Sequence, residues 1–312
     1  MPVSSEDFIN IKCLGYRYGD HTALDDFNLS IGKGEIFGFL GPNGSGKTTL
    51  FRIMATLLPI QKGKITVDGY SLNETPNEVR KRIGVVFQSP SLDGKLTVRE
   101  NLIHQGHLYG FRGEKLKSRI AELIQQFQIE ERLGDLVENL SGGLKRRVEI
   151  AKGLLHRPEI LLLDEPSTGL DPAVRLQLWK LLADLNRSEE TTILVTSHIL
   201  EEMENCDILA ILDRGKRVAL DSPERLKNQV GGEVLTIETS EPLRLAENLQ
   251  NKFQLGLFQD GNELRIETRE GVLLMQKIHE SFSDQLSTIR LSKPTLGDVF
   301  LKLTGHNFGS VS

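Results

Sequence analysis

The chain has 312 residues, 38% hydrophobic and 26% charged, and its 38 Lys and Arg against 43 Asp and Glu leave a formal charge of −5. That is the composition of a soluble globular chain long enough for two domains, and its mild acidity argues against a nucleic-acid partner bound by phosphate neutralisation. No apolar run approaches the roughly 20 residues that span a bilayer, and residues 1–10 lack a charged-then-apolar targeting pattern, so a cytoplasmic location is expected. Cys13 and Cys206 have no metal-type spacing and read as two reduced thiols.

In chain order, residues 36–40 read as a buried strand that runs through a glycine-rich turn into a helical stretch, 48–58. A second strand is predicted at 83–87, and from 89 to 140 the pattern turns helical, with Thr97 and Glu100 spaced as a capping box. Strands follow at 160–163 and 192–196, then a hairpin of 208–212 with 216–220 turned at Arg214-Gly215. This alternation predicts an α/β fold with a mainly parallel, doubly wound sheet. Near Gly231 the order becomes strand 233–239, helix 243–252, strands 253–258 and 263–268 about a Gly261-Asn262 turn, helix 271–282 and strand 286–291. That β-α-β-β-α-β order predicts a small α+β ferredoxin-like domain. It ends in a helix from Pro294 to about Thr304, with Leu296, Val299, Phe300 and Leu303 on one face. The expected domains are therefore 1–230, with a helical subdomain at about 89–157, and 231–312.

Three segments carry chemistry. Gly41-Pro42-Asn43-Gly44-Ser45-Gly46-Lys47-Thr48 fits the P-loop pattern G-x-x-x-x-G-K-[ST] between a strand and a helix. Its glycines let backbone amides wrap phosphate oxygens, with Lys47 reaching the terminal phosphates and the Thr48 hydroxyl ligating Mg²⁺. Thr49 belongs to the same nucleotide-binding set. Second, four apolar residues at 160–163 end in Asp164 and Glu165. Asp164 suits the Mg²⁺ shell and Glu165 suits a base that polarises water, although an apolar strand ending in acids is by itself commonplace. Third, Leu140-Ser141-Gly142-Gly143 precedes apolar residues at helical spacing, so Ser141 reads as an N-cap. A serine and two glycines there make an anion cradle, or a plain cap.

The order P-loop, Gln88 after a strand, Leu-Ser-Gly-Gly, Asp-Glu and His198 after a strand resembles an ATP-binding-cassette (ABC) nucleotide-binding domain over roughly residues 8–226. The resemblance implies a P-loop NTPase fold and ATP with Mg²⁺ as cofactors. It implies that Tyr18 stacks on adenine and that Gln88 contacts Mg²⁺ and water. It also implies that His198 holds the γ-phosphate, and that Ser141, Gly142 and Gly143 reach the nucleotide of a facing domain while Asp171 links the two sites. Leu144 departs from the glutamine commonest at that position. The motifs occur once, so a composite site calls for a second copy of the chain.

With no long coiled-coil insertion, no second cassette and no Asn-Lys-x-Asp base-reading motif, the expectation is the ATPase subunit of a transporter whose membrane part is a separate permease. The stretch 92–102 and the tail 294–305 resemble drug- and lipid-export ATPases of the daunorubicin-resistance type, implying an ABC-2-type permease and peripheral attachment to the cytoplasmic face of the membrane. A soluble regulatory ATPase without a permease is the alternative. The tail domain, with 8 basic and 11 acidic residues from Gly231 on, carries no catalytic constellation and is expected to be accessory or regulatory.

Overall fold

A computed structural model describes residues 8–306 and 308; residues 1–7, which include most of the stretch read for a targeting signal, and residues 307 and 309–312 lie outside it. The described chain divides into two compact units between Leu220 and Asp221.

In the first unit a six-stranded sheet has the spatial order Lys216–Asp221, Ile208–Asp213, Ile36–Leu40, Thr192–Ser197, Ile160–Asp164, Ile83–Val86. Every pairing from Ile208–Asp213 to Ile83–Val86 is parallel. Its central strands are buried along their whole length, which is why they read as continuous apolar runs rather than alternating ones. At the sheet edge Arg214 and Gly215 have φ of 46° and 78°, the doubly left-handed backbone of a type I′ turn.

A second, four-stranded antiparallel sheet orders His21–Ile31, Ile9–Tyr18, Lys62–Val67 and Tyr70–Ser71, and its apolar face joins the same core through Ile9, Leu14, Phe27 and Ile65. The sequence pattern does not reveal it, because register shifts after Ile11 and Leu14 break the alternation.

The helical segment contains Val98–Leu108 and Gly113–Phe127. The predicted capping box is formed: the Thr97 hydroxyl accepts from the Glu100 amide at 3.2 Å, and Glu100 accepts from the Thr97 amide at 2.8 Å. The helix after the P-loop is shorter than expected, Lys47–Met54, because Thr56 turns left-handed (φ 59°).

The second unit has strand order Leu257–Asp260, Glu263–Thr268, Glu233–Glu238, Thr288–Ser292, all antiparallel, over a core that includes Leu235, Ile237, Leu245 and Ile278. This is the split β-α-β arrangement of the ferredoxin-like fold.

Three details differ from the sequence reading. The unit starts before Pro223–Val230 rather than at Gly231, because that helix packs with Leu296–Thr304, whose Lys302 donates to the Val230 carbonyl at 3.2 Å. Phe253 ends the helix Pro242–Phe253 instead of opening a strand, the left-handed Gln254 (φ 53°) closing it. On the last helix Leu296, Val299 and Phe300 are buried as predicted, whereas Leu303 is 41% exposed and Leu301 is buried instead.

Candidate nucleotide-binding site

The strand Ile36–Leu40 delivers the chain to the P-loop, and Gly46 stands at the N-cap of Lys47–Met54 with φ 103°. A Cβ at Gly46 would lie 2.5 Å from the Ala23 carbonyl oxygen, so close passage of the antiparallel sheet and the left-handed backbone both demand glycine there. The first amides of this helix are open to an anion. Lys47 lies back along the loop, donating to the Gly41 carbonyl and, at 2.9 Å, to that of Pro42. Burial lowers its pKa to about 8, against the opposing pull of the Glu165 and Asp164 charges. Tyr18, His21, Ala23, residues 43–49 and Glu165 line one cleft over this loop. Tyr18 is 44% exposed and packs in an edge arrangement with Tyr16 at 4.9 Å between ring centroids. His21, its partner across the hairpin, was not singled out by the sequence; only the register of the two strands brings it there.

The fully buried strand Ile160–Asp164 carries the two acids. Asp164 Oδ1 accepts from Thr196 Oγ1 at 2.5 Å on the neighbouring parallel strand. Burial raises the Asp164 pKa and the Glu165 charge adds to this, while the Thr196 hydrogen bond, Arg52 and Lys47 oppose it. Glu165 leaves the strand with φ 45°, an uncommon conformation for a side-chain-bearing residue. Two hydrogen bonds of 3.1 Å from its amide, to the Thr196 carbonyl and hydroxyl, hold that turn. Its carboxylate is the meeting point of the site. Oε2 accepts from Gln88 Nε2 at 3.1 Å and from Thr168 Oγ1 at 3.2 Å, and Oε1 lies 3.1 Å from His198 Nδ1. Gln88, Glu165 and His198, separated by tens of residues, are thus brought together. Thr168 and Thr196 are additional polar partners with no signal in the sequence, since a threonine beside an acid is common in any strand or loop.

Ser141 caps Gly142–Gly153, its Oγ accepting from the Leu144 amide at 3.4 Å. A Cβ on Gly143 would lie 2.5 Å from Val174 Cγ1, on the helix Pro172–Glu189. Asp171 caps that helix through the amides of Ala173 and Val174 at 3.1 and 3.0 Å. Ser141, Gly142, Gly143 and Asp171 do not line the P-loop cleft within the single chain. Leu144 is partly buried and supplies its amide, not its side chain, to the cap. Among the described residues no cluster of three or more His, Cys, Asp or Glu is arranged to hold a metal, and no helix is long and apolar enough to cross a membrane.

Residues 24–168 match the family model "ABC transporter". The chain is 35% identical over 306 residues to the daunorubicin resistance ATP-binding protein DrrA2 of Streptomyces coeruleorubidus, covering 96% of this chain and 95% of that protein. It is 35% identical to the Nod factor export ATP-binding protein I of Cupriavidus metallidurans, with 93% and 94% covered. The dimeric post-hydrolysis structure of the ATP-binding cassette MJ0796, bound to ADP and Pi, superposes with a TM-score of 0.61 at 28% identity over 69% of this chain and 98% of that one. A P-loop cleft, a carboxylate gathered at the end of the central strand and this near full-length kinship together place the chain among the ATP-binding subunits of ABC transporters, which are ATPases.

Proposed function

We propose that this chain powers export of a drug, lipid or other substrate through a separate ABC-2-type permease, working as a dimer of two copies. The observation that carries the catalytic reading is the Glu165 carboxylate, held by Gln88, Thr168 and His198 at the mouth of the P-loop cleft. In this reading residues 41–49 wrap the phosphates, with Lys47 leaving its two carbonyl partners for phosphate oxygens and Tyr18 stacking on the adenine. Glu165 accepts the proton of the attacking water, His198 orients that water and holds the γ-phosphate, and Gln88 reports the nucleotide state. Thr48, Gln88 and Asp164 offer hard oxygen donors on few protein ligands, as Mg²⁺ beside a nucleoside triphosphate prefers, and Asp164 has one carboxylate oxygen committed to Thr196. When bound, Mg²⁺ supplies charge neutralisation at the phosphates.

Ser141, Gly142, Gly143 and Asp171 lie outside the cleft of their own chain, which fits a site completed by a second copy. Contacts to the γ-phosphate made only in the closed dimer supply the differential energy that drives closure. A groove of about 410 Å³ beside the Gln88 loop, lined in part by Leu57, Arg80, Tyr109 and Lys152, is the docking place for a permease segment. Attachment there places the chain on the cytoplasmic face of the membrane. The direction of transport follows the export-type relative. The unit from Asp221 onward acts as an accessory element of closure.

Affinity purification of the tagged chain from detergent-solubilised cells tests this reading. A multi-span membrane protein in stoichiometric amount is the expected result; an ATPase-active chain without one contradicts the transporter role.

A further inference from the structure

The helix that follows Ser141 carries a buried ion pair that the nucleotide site does not itself use. Arg146 and Glu149 are 7% and 4% exposed, and Arg146 Nη1 donates to Glu149 Oε2 at 3.1 Å. Their remaining hydrogen bonds all leave the helix. Arg146 Nη1 also donates to the Phe87 carbonyl at 2.8 Å, and Nη2 donates to the Glu165 carbonyl at 3.4 Å. Glu149 Oε1 accepts from the Ser91 amide at 2.6 Å, and Lys152 Nζ, one turn on, donates to the Ser91 carbonyl at 2.6 Å. The backbone on both sides of Gln88, at Phe87 and Ser91, is therefore held by Gly142–Gly153, and one guanidinium also grips the backbone of the residue whose carboxylate receives the Gln88 amide.

A buried ion pair is seldom worth more to stability than an apolar pair of the same volume, so its presence asks for another reason. A planar guanidinium carries its donors on separate nitrogens, Nη1 for Phe87 and Nη2 for Glu165, a spread that the single nitrogen of an ammonium does not have and an apolar side chain lacks altogether. The acceptors it reaches sit on the two segments that bear Gln88 and Glu165. We propose that Arg146 and Glu149 are positioning residues for ATP hydrolysis: they set the Gln88–Glu165 contact from the helix Gly142–Gly153 and carry to it any displacement of Ser91 in the adjoining groove. Phe87, Ser91, Glu149 and Lys152 all line that groove, so an occupant there touches the loop and its clamp together. The proposal rests on the reading of Glu165 as the base.

Steady-state ATP hydrolysis by the full chain, with kcat and KM resolved and melting followed in parallel, tests it. Arg146→Met is expected to lower kcat about tenfold or more, as small misplacements of catalytic groups do, with KM for ATP within about twofold of wild type. Arg146→Lys should restore part of the loss, because an ammonium reaches one of the two carbonyls. Ser91→Pro removes the amide donated to Glu149, along with a hydroxyl that Lys152 Nζ reaches at 3.5 Å, at an exposed residue, and carries the test should Arg146→Met fail to fold; it should lower kcat in the same way. A kcat within twofold of wild type in a folded Arg146→Met or Ser91→Pro protein overturns the proposal, as does a loss that falls equally on KM. Glu165→Gln measured alongside keeps the two readings apart. Wild-type turnover in that variant removes the base assignment itself, whereas a slow Glu165→Gln beside an unaffected Arg146→Met removes only the positioning role.

Discussion

Lys47 and Thr196 show how a few side chains set the chemistry of the cleft. Burial brings the Lys47 pKa down to about 8 against the pull of two acids, so it is still an ammonium at neutral pH, and in the proposed reading it exchanges its backbone carbonyls for phosphate. Lys47→Ala should raise the Kd for ATP by about tenfold to a hundredfold, the worth of one or two hydrogen bonds to a charged group; a calorimetric titration giving unchanged affinity would remove Lys47 from phosphate binding. Thr196 serves both acids, donating to Asp164 and accepting from the Glu165 amide. Thr196→Val keeps the shape and the backbone carbonyl that also accepts from the Glu165 amide, but leaves Asp164 Oδ1 without its donor, so denaturant unfolding should show a loss of about 1–3 kcal/mol and kcat should fall as Asp164 loses its anchor. A stability and kcat equal to wild type would show that the hydroxyl has no such part. Neither effect is legible in the sequence, where Thr196 is one more β-branched residue in a strand.

Among the elements, those that announce themselves carry their own chemistry. The P-loop needs its glycines and lysine whatever lies around it, and Thr97/Glu100 and Asp171-Pro172 satisfy helix ends locally. The antiparallel sheet is hidden by its bulges, and Arg146 is unreadable because its acceptors are backbone carbonyls 59 and 19 residues away. His156 belongs to the same hidden class. It follows the helix Gly142–Gly153, stacks on Tyr109 with centroids 3.9 Å apart and planes 1° from parallel, and donates through Nε2 to the Ile83 carbonyl at 3.1 Å. Burial, with a smaller contribution from the Arg119 charge, pushes its pKa down to about 4. Between that value and the ordinary one near 6.5, the unfolded chain binds a proton that the folded one refuses. The stability this residue confers is thus complete above about pH 6.5 and declines as the pH falls towards 4, by about 1–3 kcal/mol in all. His156→Phe should keep the stack and flatten the fall in melting temperature from pH 7 to pH 5; a variant whose pH profile parallels wild type would exclude His156 as the source.

At the scale of the whole molecule, the residues proposed to bind ATP fall into two groups that the single chain keeps apart. The cleft over the P-loop gathers Tyr18, Lys47 and Glu165, while Ser141, Gly143 and Asp171 sit at helix starts away from it. The related cassette MJ0796 is dimeric with ADP and Pi bound, and in the dimer proposed for this chain each copy would supply what the other lacks. The most direct test of this account is steady-state hydrolysis by Glu165→Gln, with ATP binding and ATP-dependent dimer formation followed on the same sample. Turnover should fall by about 10²–10⁴-fold, as for loss of a general base, while ATP affinity is retained and a stable dimer accumulates. Turnover at the wild-type rate, or loss of ATP binding in step with turnover, would contradict it.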